Sequence, residues 1–411
     1  MMELKGKYNE AIVYTDNIDS NTIGQIIELC NEESLKDSII RIMPDCHMGR
    51  GCTIGTTMTI KDKIVPNLVG VDIGCGMMAV TIGKTIDLEL MDSIIRKYVP
   101  NGFSVYSKKL KIPKSMDVNL NELKCVDEIN IDRAYKSIGT LGGGNHFIEI
   151  GKDENGLLWL IVHTGSRNLG KQIADYYQQK AIEYCKDKYQ LLKDYAIKDL
   201  KDNGQEHLIK ETIANIKKPQ DSLCYLEGVL MEDYLHDMAI AQKYAKLNRM
   251  AIIATILNKY SESDRYFVDF NFRSVIKAVE ESGLECIHNY IDLNSMILRK
   301  GAISARKLEP VIIPINMRDG IIIGVGKGNL KWNNSAPHGA GRILSRGQAK
   351  REISLEEYKK SMEGIFTTCV NTATLDEAPQ AYKPMEEIIE NIKDTVTIKK
   401  ILKPVYNFKS N

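Results

Sequence analysis

Leu157-Leu158-Trp159-Leu160-Ile161-Val162-His163-Thr164-Gly165-Ser166-Arg167 is an unbroken apolar run that ends in a histidine and a glycine turn. A short continuous apolar run between glycines reads as a strand covered on both faces. Gly170 then opens a helical pattern. From Lys171 to about Tyr260 the chain is helical and heavily charged, broken at Asp202-Asn203-Gly204 and at Lys218-Pro219. Two helical stretches, about 171–201 and 223–260, therefore follow a core strand. The expectation is a β core carrying a helical insertion over 171–260.

Further elements fall on either side. Short strands are expected at Ala11–Tyr14 and Ile39–Met43, with helices near 21–30, 88–98, 351–366 and 385–392. Val311–Ile315 and Ile321–Val325 flank Met317-Arg318-Asp319-Gly320, a hairpin turn by composition. A last strand carries Pro404 and Lys409. No internal repeat, low-complexity segment or long linker divides the 411 residues. The fold class expected is α+β: a single intertwined domain over 1–411 with a mixed or antiparallel β core.

Composition is that of an ordinary globular chain, 43% hydrophobic and 27% charged, with a formal net charge of +1. That balance gives no global reason to invoke nucleic acid or membrane. Between Arg299 and Arg351, however, eleven Lys/Arg face only Glu309 and Asp319, a local excess of nine positive charges. Such a surface suits a polyphosphate or nucleic-acid backbone, although a charge run is more often a solvated face. The nine cysteines are scattered with no CxxC pair, which argues for a reducing compartment. The polar N-terminus does not read as a signal peptide and no apolar run reaches membrane-spanning length, so a cytoplasmic protein is expected.

The histidines are the sharpest signal. Of seven, His47, His146, His163, His288 and His338 sit in Gly/Asn-rich loops or at strand ends, whereas His207 and His236 lie in the helical region without glycine framing. Gly70-Val71-Asp72-Ile73-Gly74-Cys75 sets a carboxylate and a thiol three residues apart. Imidazole, thiolate and carboxylate together suit Mn, Zn or Fe better than Ca or Mg. The spacing matches no zinc-finger or zincin pattern, so it assigns no ligand set. Two ions a few ångströms apart would serve phosphoryl or nucleotidyl transfer. A redox or structural metal protein is the alternative. In Asn334-Ser335-Ala336-Pro337-His338-Gly339-Ala340-Gly341-Arg342, glycines allow backbone N–H groups to cradle an anion beside a histidine able to attack phosphorus. Taken alone, that loop reads more readily as a tight turn with a satisfied histidine than as a nucleophile. Arg167, Arg342 and Arg346 are candidate phosphate clamps.

Several of these motifs, in this order, carry a resemblance. PDCHMGRGCTIG, GVDIGCGM, TLGGGNHFIE, HTGSR, His288-Asn289, HGAGR and DEAPQAYK together resemble the RtcB family of RNA-splicing ligases over residues 43–409. The resemblance implies a GTP- and Mn2+-dependent enzyme joining RNA ends bearing a 2′,3′-cyclic phosphate or 3′-phosphate to 5′-hydroxyl ends. It implies two Mn2+ ions bridged by Cys75, with Asp72 and His146 on one and His163 and His288 on the other. His338 matches the histidine that takes GMP from GTP. Asn145, Glu149, Asn289, Ala340, Gly341 and Lys409 match nucleotide-holding positions, and Arg167 and Arg346 match RNA-phosphate positions. Asp45 and His47 fall in the first motif without an assigned role. Pro314-Ile315-Asn316-Met317-Arg318-Asp319-Gly320 departs from the pattern of better-known members and points to a divergent bacterial branch. Partners implied are RNA and GTP, an activating protein is compatible, and a monomer is expected. Two alternatives stay open: an enzyme that modifies RNA 3′ ends without joining them, and a metal-bound RNA-binding protein without turnover.

Overall fold

Seven consecutive buried residues make Leu158–Thr164 a central strand. The computed structural model describes residues 1–113, 116–263, 275, 281 and 284–410. In it this strand lies within an eight-stranded sheet. The main path runs Glu285–Ile287, Gly76–Thr81, Leu158–Thr164, Phe147–Lys152, Val396–Lys409, Gly320–Gly326, Pro310–Asn316, with Phe366–Thr367 added beside Val396–Lys409. Neighbours on the path are antiparallel, and Phe366–Thr367 pairs parallel. The sheet curls until its ends meet, where the Cys286 thiol donates to the Pro310 carbonyl at 3.4 Å. Pro404, which has no N–H for the ladder, sits where the long last strand bulges against Phe147–Lys152.

Both faces of Leu158–Thr164 are covered, as the apolar run predicts. Leu158, Leu160 and Val162 pack with Ile252, Ile253 and Ile256 of the helix Gly228–Ser263. Trp159 and Ile161 face Ile312 and Ile322 from the far strands. Each such aliphatic side chain contributes roughly 1.5–3 kcal/mol on burial.

A second sheet of six strands runs Met2–Lys5, Glu10–Val13, Ile40–His47, Ile54–Thr59, Ile297–Lys300, Asn289–Asp292, with one parallel pair between the second and third. The class is α+β with a mixed β core, as expected. Ile40–His47 is longer than the strand expected at Ile39–Met43, so Asp45 and His47 ride on its end. The helix Leu88–Tyr98 has the predicted bounds and is capped by Asp87. The helical stretch expected at 351–366 is instead two short helices, Arg346–Glu352 and Leu355–Ser361. Ser354 forms a capping box with Glu357 and starts the second afresh.

The helices expected within 171–260 are Arg167–Asp202 and Gly228–Ser263. The first buries side chains only as far as Cys185 and then runs into solvent. The second differs from a helix laid on the outside. From Leu247 to Ala254 every residue is buried, because the helix is sandwiched between the large sheet and the cluster around Tyr177 and Ile173.

Candidate metal and histidine site

Sheet register brings the ligand-type residues together. His163 on the central strand stands opposite Met77 on one neighbour and Phe147 on the other. Cys75 immediately precedes the first of these strands and His146 the second. Thus the Cys75 sulfur lies 3.4 Å from His163 Nε2 and 3.5 Å from His146 Nε2, and His163 Nε2 lies 3.3 Å from His288 Nε2. Cys75, His163 and His288 form one three-donor group, and Asp72, Cys75 and His146 form another that shares the sulfur.

The electrostatics of this cluster favour cations. His146 Nδ1 donates to the Leu141 carbonyl at 2.9 Å, which leaves a lone pair on Nε2 facing Asp72 Oδ2 at 2.9 Å. Two acceptors in contact need a proton or a cation between them. Burial, reinforced by the neighbouring imidazoles, holds His163 and His288 well below the usual histidine range, so both are neutral and have ligating lone pairs. Burial opposes ionisation of Asp72, but positive charge at His146 Nε2, a proton or a cation in its place, outweighs it and the carboxyl falls to about 2. Burial and the Asp72 charge push the Cys75 thiol well up, so a metal must displace its proton. The donor set fits two transition-metal ions sharing one thiolate. Gly165 leaves the carboxylate its place, since a Cβ there would sit 2.1 Å from Asp72 Oδ1 and displace it.

Two residues of the helix Gly228–Ser263 hold these loops. Arg249, fully buried, donates through Nη1 to the carbonyls of Gly74 (2.9 Å) and Thr164 (2.8 Å), and through Nη2 to Glu285 (2.9 Å). The Asn248 amide accepts from the N–H of Gly139 and Thr140 and donates to the carbonyls of Thr140 and Gly165. Sequence reasoning missed both. An Asn-Arg pair in a charged helix is indistinguishable from solvated surface until the fold buries it.

The Asn334–Arg342 loop reaches the cluster through the strand Ser335–Pro337, which pairs with Ala302–Ser304. The His338 ring centroid is 4.7 Å from that of His288. Its Nδ1 is held 2.7 Å from Asp45 Oδ2, which leaves Nε2 as the unencumbered lone pair. Gly341 adopts φ +75°, and a Cβ would strike the Asp45 carbonyl, so only glycine lets the loop pass. His47 Nδ1 lies 3.0 Å from the Asp45 carbonyl.

Beside His338 opens a cavity whose lining includes Asn145, Glu149, Ala340, Gly341, Arg346 and Lys409. Glu149 is buried with Oε1 unpartnered, and burial raises its carboxyl well above the usual range against the pull of Lys409. Lys409 pairs with Glu377, which also accepts from Tyr382 at 2.8 Å. Asn289 lies outside the lining and ties loops together: its Oδ1 accepts from Gly301 N–H at 2.9 Å and its Nδ2 donates to the Asp72 carbonyl at 3.3 Å. Arg167 stands beyond His146, with Nη1 3.4 Å from Nδ1 of that ring.

Part of the local basic excess read from 299–351 is buried or ion-paired. Arg299 is buried against Tyr290, Ser335 and Asp292, and Arg306 also pairs with Asp292. Arg346 and Lys350 pair with Asp376, and Arg342 lies over the Tyr382 ring, 3.7 Å from Glu377. These acids lie outside the counted window and offset part of its charge, while Lys307, Lys327, Lys331 and Arg351 are exposed. His207 and His236 lie on exposed surface away from the cluster.

A site with paired metal-type donor sets beside a carboxylate-held histidine suits metal-assisted nucleotidyl transfer. The sequence profile of the family described as tRNA-splicing ligase RtcB matches residues 30–122 and 89–410. The RNA-splicing ligase RtcB of Escherichia coli K12 is 32% identical over 87% of this chain and 87% of its own. The tRNA-splicing ligase RtcB of Nanoarchaeum equitans is 28% identical over 85% of this chain and 83% of its own. The chain belongs to the RtcB family of RNA ligases.

Proposed function

We propose that the protein seals RNA 2′,3′-cyclic phosphate or 3′-phosphate ends to 5′-hydroxyl ends, using GTP and two Mn2+ ions through a His338–GMP intermediate. The observation that carries this reading is His338 itself, with Nδ1 bound to Asp45 and Nε2 free beside the Cys75 cluster. Asp72, Cys75 and His146 would hold one ion, and Cys75, His163 and His288 the other. Bound there, Mn2+ would supply Lewis-acid stabilisation to phosphate oxygens gaining charge.

The remaining chemistry falls to the chain and its substrates. His338 Nε2 attacks the α-phosphorus of GTP, an N–P bond forms and pyrophosphate leaves. Asp45 keeps the Nδ1 proton and offsets positive charge developing on the ring. A cyclic phosphate is opened by water to a 3′-phosphate. That phosphate takes GMP from His338, and the 5′-hydroxyl then attacks the terminal RNA phosphorus and expels GMP. Glu149 suits the N1–H and N2 amino group of guanine once it gives up the proton that burial favours, a loss Lys409 assists, with Asn145, Ala340 and Gly341 around it. Arg167 and Arg346 would contact RNA phosphates. In the case of Arg346, RNA must compete with Asp376 and Glu377.

Incubation with Mn2+ and α-labelled GTP should give an acid-labile adduct that His338→Ala abolishes. Addition of RNA with cyclic-phosphate and 5′-hydroxyl ends should convert it to joined product. Absence of the adduct from the wild-type protein would sink the reading, and an adduct with capped but unjoined RNA would reduce it to end modification.

A further inference from the structure

Phe103 is 95% exposed, the most exposed large apolar side chain among the described residues. A single exposed phenylalanine needs no explanation by itself. Its position supplies one. Phe103 lies on the rim of a groove of about 480 Å3 lined also by Arg133, Gly143, Gly144, Arg167 and Lys171, with no carboxylate among the lining residues. The volume lies within the range of small-ligand clefts, roughly 300–1,000 Å3.

The groove is wired to the metal-type cluster. Arg167 Nη2 donates to the Gly102 carbonyl at 3.2 Å while its Nη1 lies 3.4 Å from His146. Gly102 N–H donates to the Gly142 carbonyl at 3.0 Å, joining the Phe103 turn to the loop that presents Asn145 and His146. Arg167 holds φ +57°, a left-handed backbone that a long side chain rarely adopts, and so aims its guanidinium here. On the other wall Arg133 Nη2 donates to the Phe103 carbonyl at 2.9 Å. Neither Arg133 nor Arg167 has a carboxylate within ion-pair distance among the described residues. Arg167 Nε also donates to Thr140 Oγ1 at 3.2 Å, and Lys171 pairs with Asp175, with which a phosphate must compete. An aromatic ring in water beside unpaired cations is the arrangement that binds single-stranded nucleic acid, through base stacking and phosphate contacts.

We propose that this groove is a subsite for single-stranded RNA, where one base stacks on Phe103 while Arg133, Arg167 and Lys171 hold the flanking phosphates. The inference rests on the RNA-ligase reading and adds the path of the strand as it leaves the reacting ends.

The test is fluorescence anisotropy with a labelled single-stranded RNA decamer ending in a 3′-phosphate, in Mn2+ without GTP. Phe103→Ala should raise Kd about 5- to 150-fold, the usual worth of one stacked base. Phe103→Trp should restore binding, and both variants should melt with the wild type. Arg133→Ala should lower the slope of log K against log salt by about 0.7, one single-strand phosphate contact. A Phe103→Ala variant that binds RNA within twofold of wild type overturns the proposal, as it would if Phe103 served a protein partner. So does a wild-type protein that does not bind the decamer. Phe103-dependent binding by a protein that forms no GMP adduct would remove the ligase chemistry and leave the groove. Intact ligation with Phe103-independent binding would do the reverse.

Discussion

One carboxylate oxygen of Asp45 holds both the ring and the backbone of His338. Oδ2 lies 2.7 Å from Nδ1 and accepts the His338 N–H at 3.2 Å, and the Gly339 N–H donates to it at 3.2 Å as well. Asp45 is fully buried, so this grip is not shared with water. The ring cannot turn over without leaving that oxygen, and Nε2 is therefore the atom that faces the cavity.

Asp45→Asn keeps the shape and removes the charge. If the carboxylate stabilises the imidazole as it takes up phosphorus, the single-turnover rate of GMP-adduct formation should fall about 10²- to 10⁴-fold, the scale of a lost acid–base partner. GTP affinity should change little. An unchanged adduct rate would show that Asp45 acts only as a backbone clamp.

The shared sulfur predicts different metal counts for two nearby substitutions. Cys75→Ala removes a donor common to both groups and should abolish tight Mn2+ binding altogether. Gly165→Ala forces a methyl group to within 2.1 Å of where Asp72 Oδ1 now sits, so the Asp72 group should fail while the His163–His288 group survives. Titration calorimetry should then show no tight ion for the first variant and one for the second. Two tight ions in Cys75→Ala would exclude a bridging role.

The sequence exposed the site because its parts carry local signatures. A Gly/Asn-rich loop or a strand-end position singled out His146, His163, His288 and His338, and the fold gathers all four. The apolar run at Leu157–Val162 announced a strand covered on both faces, and it is one. What stayed hidden is what depends on distant partners. The basic run at 299–351 meets Asp292, Asp376 and Glu377 only in three dimensions. The contacts by which Asn289 braces Gly301 and Asp72 carry no local signature either. Arg249 and Asn248 read as charged-helix surface because periodicity cannot tell a polar side chain facing water from one facing loop carbonyls.

Acid should act partly through Glu377. Burial tends to raise its carboxyl, but Lys409 and then Arg346 outweigh this and hold it at about 2 against the usual 4.5. A depressed carboxyl contributes stability that is complete above pH 4.5 and is lost as pH falls towards 2. Urea denaturation of the wild type should weaken across that window. Glu377→Gln should be less stable near neutrality and flatter with pH, and parallel curves for the two proteins would remove Glu377 as a source of the acid response.

Arg249 offers the sharpest separation of scaffold from chemistry. It touches none of the six side chains proposed to carry the reaction (Asp72, Cys75, His146, His163, His288, His338), yet its guanidinium fastens Gly74, Thr164 and Glu285 at once. Arg249→Met preserves length and apolar stem but leaves two carbonyls and a carboxylate short of a donor. Glu285 is partly exposed and keeps Lys246, so the main cost is the two carbonyls left unpaired, about 1–3 kcal/mol each, and the denaturation free energy should drop by that order. Cys75 follows Gly74 and His163 precedes Thr164, so slackening these carbonyls should also weaken Mn2+ affinity in protein that remains folded. Calorimetry below the lowered unfolding temperature separates the two effects. Reduced stability with undiminished Mn2+ affinity would make Arg249 a fold residue only, with the metal-type loops held by Asn248 and the sheet.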